Sequence, residues 1–138
     1  MVYLIRNRGK KMKTEDIVRD EAKILLGFDR QEKDINQGTG QITTFNQLGF
    51  NGITNKPDGW YLPNDASKPA IILETKSELE DLSKQKWIDE LFKNLDIVSS
   101  KYSKHIGILW NGKDIRVFKN KKELFDVSNI LENKQYYI

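Results

Sequence analysis

The feature that most constrains the fold is a run of four apolar residues at positions 70–73, followed directly by Glu74, Thr75 and Lys76. Consecutive apolar residues predict a strand that is buried on both faces. Side chains alternate along a strand, so Glu74 and Lys76 should point to one face and Thr75 to the other. A carboxylate and an ammonium at the end of such a strand need partners, and a divalent metal ion and a phosphate group fit these two.

Asp58 lies on the segment before this strand, and residues 63–69 between them form a polar stretch with a proline at each end. This composition predicts a turn that brings Asp58 back beside Glu74. The alternative interpretation is an edge hairpin in which Glu74 and Lys76 form a surface salt bridge.

Helical patterns lie on both sides of this hairpin. Thr14 predicts the N-cap of a helix that runs to about Leu26 and ends at Gly27. A second amphipathic helix is predicted at about residues 82–102. The apolar stripe of the first helix is expected to contain Ile17, Val18, Ala22, Ile24, Leu25 and Phe28.

The remaining segments are predicted from turn signals and short apolar runs. Residues 36–40 are expected to form a loop, with short strands near residues 42–45 and 52–53. Asn111-Gly112 between two apolar runs predicts a β-hairpin. A short closing helix is expected at residues 123–131, and the apolar tip at residues 135–138 is expected to pack on this domain, a second copy or a following domain.

Length and composition favour one globular domain over residues 1–138, with residues 1–13 as a basic lead-in. The order of elements predicts an α/β fold in which a mixed sheet is flanked by helices. The chain has no cysteine, which excludes disulfides and thiolate metal sites. No apolar run reaches the length of a membrane span and no signal peptide is recognised, so a cytoplasmic protein is expected. The net charge of +3 suits an anionic partner.

Taken together, these patterns resemble the PD-(D/E)XK nuclease superfamily. Asp58, Glu74 and Lys76 match the three signature positions, and Pro57 supplies the proline. The second half of the chain is similar to the nuclease domain of type I restriction enzyme motor subunits. The resemblance implies an αβββαβ core and a Mg²⁺-dependent endonuclease of restriction type, with Mn²⁺ able to substitute. It also implies that Asp58, Glu74 and the carbonyl of Thr75 bind the metal, while Lys76 acts on the attacking water and the transition state.

Two features of the family pattern remain open. A third acid often comes from the first helix, and either Glu15 or its rival Glu21 fits, so one metal and two metals are both possible. Glu15 lies at the start of the helix, whereas Glu21 is expected in the centre of the apolar stripe, where it would be buried. The Gln-x-x-x-Tyr pair of the second helix is missing. Glu90 and Asn94 occupy its register. Either they replace the pair or they form a solvated helix face, and we favour the second interpretation.

DNA is the predicted partner, because a basic chain with this signature suits a polyanion. Lys11, Lys113 and Arg116 are candidate phosphate contacts. A homodimer and association with other domains or subunits of a restriction–modification system are also predicted, and no membrane partner is expected. The alternative functions are a non-catalytic nucleic-acid-binding or assembly module on the same fold, or a nuclease specific for RNA or for junctions.

Overall fold

The structure is a computed structural model that describes residues 12–125. A six-stranded mixed sheet carries two helices. In chain order the elements are α1 (Glu15–Leu26), β1 (Ile35–Thr39), β2 (Gly59–Pro63), β3 (Ala70–Thr75), α2 (Gln85–Ser99), β4 (His105–Trp110), β5 (Ile115–Lys119) and β6 (Lys122–Leu124).

The strands lie in the sheet in the same order as in the chain. β2 is antiparallel to both of its neighbours, β1 and β3. β3 and β4 are parallel, and β5 and β6 follow as antiparallel neighbours. The parallel pair needs a crossover, which α2 provides. The predicted mixed sheet is confirmed, and the first six elements have the expected order αβββαβ.

The two helices cover opposite faces of the sheet, as the alternation of β3 shows. Ile72 packs in the cluster that contains Leu91 and Leu95 of α2. Ile71 and Leu73, whose side chains point to the opposite face, pack in the other cluster with residues of α1. All six residues of β3 are buried, which confirms that residues 70–73 form an interior strand.

The ends of α1 are set by local interactions that the sequence indicates. The Thr14 side chain accepts a hydrogen bond from the backbone N–H of Ile17. Gly27 takes the left-handed conformation at φ 72°, which glycine adopts without steric cost, and its N–H bonds to the end of the helix. The predicted cap, end and length of this helix are confirmed.

The inward face of α1 differs from the predicted stripe. Ile17, Ile24 and Leu25 are exposed. Val18, Ala22 and Phe28 of the predicted stripe are buried as expected. Arg19 and Leu26, which were not predicted, also face the sheet. The spacing of 18, 22 and 26 follows one helical face, and the apolar residues beside it reach solvent.

Two predictions about the polar region were wrong. Residues 36–40 were expected to be a loop, yet Ile35–Thr39 is a strand whose pairing with β2 outweighs its weak β propensity. The short strands predicted near residues 42–45 and 52–53 are absent from the described structure, because this segment forms turns around the buried rings of Phe45 and Phe50.

The second half of the fold follows the prediction in outline. α2 is shorter than the predicted 82–102, and Leu82 and Tyr102 are buried in the segments that flank it. β4 and β5 form the expected hairpin around Asn111-Gly112, where Gly112 has φ 87°. Residues 122–124 form β6 where a helix from residue 123 was predicted. Most of that predicted helix, the tip at 135–138 and residues 1–11 lie outside the described residues.

The described helices are also relevant to a membrane location. Between residues 12 and 125, no helix is both long enough and apolar enough to cross a bilayer.

Candidate active site

The candidate site lies at the carboxyl end of β3, where Glu74 leaves the apolar core. Strand alternation turns its side chain to the α2 face of the sheet, and only 3% of the residue is exposed. There the Nδ2 group of Asn94 donates a hydrogen bond to Glu74 Oε1. A residue of α2 thereby fixes the orientation of a buried carboxyl group on β3.

Asp58 reaches the same point from the segment before β2. Its Oδ2 accepts hydrogen bonds from the backbone N–H of Thr75 at 2.8 Å and from Thr75 Oγ1 at 3.2 Å. The next residue is Gly59, where an added Cβ would lie 2.9 Å from Leu73 Cβ. The absence of a side chain at Gly59 therefore allows β2 and β3 to approach closely beside the two acids. The hairpin predicted to bring Asp58 beside Glu74 is present.

The two carboxyl groups perturb each other. Burial raises the pKa of Glu74 well above its ordinary value, and the nearby negative charge of Asp58 raises it further. Their side chains are close enough to share a hydrogen bond. A buried carboxyl group with few cationic neighbours favours the protonated form, and a bound cation would favour the charged form.

Lys76 follows directly after β3, on the same face as Glu74, and is also buried. Its Nζ contacts Glu90 Oε1 at 3.1 Å and Oε2 at 3.3 Å. The ammonium also lies 4.0 Å from the centre of the Trp87 ring. An acid and an aromatic ring of α2 thus hold Lys76 on the α2 side of the sheet, two residues after Glu74.

These contacts overturn two interpretations of the sequence. Glu74 and Lys76 belong to a central strand and have separate partners on α2, so they do not form a surface salt bridge on an edge hairpin. The interpretation as a solvated helix face is wrong for Asn94, which is 4% exposed and bonds to Glu74. The Glu90 side chain is 44% exposed, so it does face solvent, but it also binds Lys76. Asn94 lies three residues after Leu91 and four before Val98, so the helical spacing could have placed it inward.

The structure separates the two candidate acids of α1. Burial raises the pKa of Glu15, and the charge of Asp58 raises it further, so Glu15 lies within electrostatic range of the site. Glu21 binds Lys13 at 3.1 Å and both side chains are more than one third exposed. The expectation that Glu21 is buried in the apolar stripe is therefore wrong, while a catalytic role for Glu15 stays a prediction.

Arg19 is a member of this site that sequence reasoning missed. The residue is 6% exposed, and its Nε lies 3.8 Å from Asp58 Oδ1. Its Nη1 donates to Asp16 at 2.9 Å. It lies one helical turn after Glu15, and this i, i+4 spacing is the signal that could have identified it.

The carboxylates of the site determine which kind of metal ion it could bind. In the described range 12–125, no three His, Asp or Glu side chains form a group that could hold a metal ion. Asp58 and Glu74 remain as two adjacent carboxylates, and Mg²⁺ is commonly bound by one or two carboxylates while it keeps several waters. The residues present therefore fit Mg²⁺ better than a metal that needs a complete protein cage. Whether the carbonyl of Thr75 is a ligand stays a prediction.

The predicted nucleic-acid contacts differ in their availability. Lys113 is exposed. Arg116 is engaged within the protein, because it bonds to both carboxylate oxygens of Glu123, at 2.7 and 2.9 Å, and to the carbonyl of Leu82. Lys11 lies outside the described residues.

The chain matches no protein-family model, no curated protein and no solved structure. The resemblance to PD-(D/E)XK nucleases therefore rests on the signature residues and the order of elements. Functional inference has to be made from the geometry of Asp58, Glu74 and Lys76.

Proposed function

We propose that this protein is a metal-dependent DNA endonuclease domain of the PD-(D/E)XK type. The observation that carries the proposal is the convergence of Asp58 and Glu74 beside Lys76 at the end of a buried strand. Glu74 is nearly inaccessible and has a raised pKa, so the fold keeps a carboxyl group where its charge is costly. Such perturbed acids are more frequent at functional sites than elsewhere.

In this proposal Asp58 and Glu74 would bind Mg²⁺, with the Thr75 carbonyl as a further ligand. Bound there, the ion would lower the pKa of a water molecule and polarise a phosphoryl oxygen. Lys76 orients the attacking water or stabilises the negative charge that develops on the phosphate. Glu90 and Trp87 restrain the Lys76 ammonium, which lowers the entropy cost of positioning it during the reaction.

The restriction-type role is the finer part of the proposal. A basic chain favours a polyanionic substrate, and exposed Lys113 is available for a phosphate contact. We assign the choice of target sequence to partner domains or subunits of a restriction–modification system. Mn²⁺ is expected to replace Mg²⁺, because both accept oxygen ligands.

Cleavage of supercoiled plasmid in the presence of Mg²⁺ tests the proposal. The wild type should convert plasmid to nicked circles, and Asp58→Asn should lose this activity because a metal ligand has lost its charge. Glu21→Gln is the matched control, since it neutralises the α1 acid that binds Lys13 on the surface. Plasmid cleavage that survives in Asp58→Asn would refute the assigned site.

Two results would favour the alternative functions. DNA binding without cleavage under any divalent ion would indicate the non-catalytic module. Faster cleavage of RNA or of a four-way junction than of linear duplex would replace DNA restriction with one of those activities.

A further inference from the structure

The buried guanidinium of Arg19 calls for an explanation. Its Nε and Nη2 are fully buried, and neither has a hydrogen-bond partner in the part of the chain that the structure describes. Burying a charged group with unsatisfied donors is costly, and arginine remains protonated in proteins. A residue that served only to attach α1 to the sheet would avoid this cost if it were apolar.

The neighbours of Arg19 are acids of the candidate site. Its Nε faces Asp58 Oδ1 at 3.8 Å, and its charge interacts with Glu15. Asp16, its hydrogen-bonded partner, has a side chain that is 72% exposed and is well screened by solvent. The guanidinium charge is therefore directed mainly at Asp58 and Glu15.

A second metal ion that used both Asp58 and Glu15 would have to lie on the α1 side of Asp58, where Arg19 lies. A two-metal site places its ions about 4 Å apart and shares carboxylates between them. Asp58 would be the shared ligand and Glu15 the added one, but the cation of Arg19 already lies 3.8 Å from Asp58 and interacts electrostatically with Glu15. Substrate cannot use the guanidinium as a phosphate anchor, because its free N–H groups are closed off from solvent.

The charges of the site also favour a single divalent ion. The interacting carboxylates are Glu15, Asp58, Glu74 and Glu90, and the cations are Arg19 and Lys76. Four carboxylates and two cations leave an excess of two negative charges, which one divalent ion neutralises. A second ion would make the site positive.

We propose that Arg19 is a positioning residue that takes the place of a second metal ion, so that the site binds a single divalent ion. The inference rests on the proposed function, because it concerns the ion that Asp58 and Glu74 would bind. Arg19 holds Asp58 and Glu15 in place with a fixed charge, and this charge repels any ion that approaches from the α1 side.

Isothermal titration with Mn²⁺ in the absence of DNA tests the proposal by counting ions rather than by activity. The wild type should bind one ion. Arg19→Met keeps most of the side-chain volume and removes the charge. It should therefore bind more Mn²⁺ than Arg19→Lys at every concentration of free Mn²⁺, with an apparent affinity that is roughly tenfold higher. Arg19→Lys, which keeps the charge, should resemble the wild type. Glu15→Gln should still bind one ion, since Glu15 is not needed as a ligand in a single-ion site.

Each outcome separates this inference from the proposed function. Two ions on the wild type, or superimposable titrations of Arg19→Met and Arg19→Lys, would overturn the role of Arg19 and leave the nuclease proposal intact. No Mn²⁺ binding by the wild type would overturn both. Should Arg19→Met fail to fold, the ion count of the wild type and of Glu15→Gln still decides the question.

Discussion

Glu74→Gln should make the metal-free protein more stable at neutral pH. The substitution keeps the shape of the side chain and an oxygen that can accept the hydrogen bond from Asn94. It removes a negative charge that is buried beside Asp58. The site is therefore expected to lose a repulsion without losing a packing contact.

The size of the effect follows from the charges. Two unit charges about 4 Å apart repel by about 4 kcal/mol at an effective dielectric constant of about 20. Proton uptake by Glu74 and the bond from Asn94 relieve part of this repulsion, so a net gain of about 1–3 kcal/mol is expected. For a domain of this size the gain corresponds to an increase in melting temperature of roughly 5 °C.

The pH dependence gives a second measurement. Because the folded-state pKa of Glu74 is raised, folded protein binds the proton more tightly than unfolded protein, and wild-type stability falls as the pH rises above the ordinary value of 4.5. Below that value Glu74 is protonated in both states, and the two proteins should melt together. The difference between them should therefore grow from acidic to neutral pH.

Thermal melts in EDTA from pH 4 to pH 8 check this prediction, with Glu21→Gln as the control that should change stability by less than about 0.5 kcal/mol. Saturating Mg²⁺ should then raise the melting temperature of the wild type more than that of Glu74→Gln. A Glu74→Gln protein that is less stable than the wild type in EDTA at neutral pH would refute the reasoning.

Three further predictions concern the same site. Lys76→Ala should lower the cleavage rate by roughly two to four orders of magnitude and change DNA affinity much less, which single-turnover kinetics and a binding titration will distinguish; an equal loss of both would make Lys76 a general phosphate anchor. Asn94→Asp should destabilise the metal-free protein by about 1–3 kcal/mol in urea denaturation, since it replaces the donor to Glu74 with another buried carboxyl group; unchanged stability would argue against the observed contact. The isolated chain should nick plasmid before it linearises it, because one site reaches one phosphate; linear product without a nicked intermediate, from a species that sedimentation shows to be monomeric, would contradict this.

Strong local signals explain which elements could be predicted. Residues 70–73 leave little alternative to an interior strand, because four consecutive apolar side chains must be covered on both faces. Asn111-Gly112 between apolar runs indicates a hairpin, and the Thr14 cap and Gly27 set both ends of α1. Each of these features depends on residues within a few positions of one another.

The missed features depend on tertiary contacts. β1 has no strand-like composition, and it forms because β2 offers an unpaired edge and because Gly38 makes room for the Trp60 ring. The helical spacing is consistent with an inward position of Asn94, but its bond to Glu74 could not be predicted from α2 alone, because Glu74 lies on β3. Arg19 was missed for a similar reason, since its partner Asp58 lies far along the chain.

The position of β3 explains how the protein can keep these charges together. A carboxyl group at an edge would relieve its repulsion by turning into water, but Glu74 follows four fully buried residues in a strand that is paired on both sides. The packed core fixes the backbone at that point, so the unfavourable charge cannot relax without unpacking the strand. The apolar run that precedes Glu74 therefore serves the site directly, because it offsets the cost of holding Asp58 and Glu74 side by side. A cation bound between the two acids would remove that cost, and for this reason we expect metal binding and stability to be coupled in this fold.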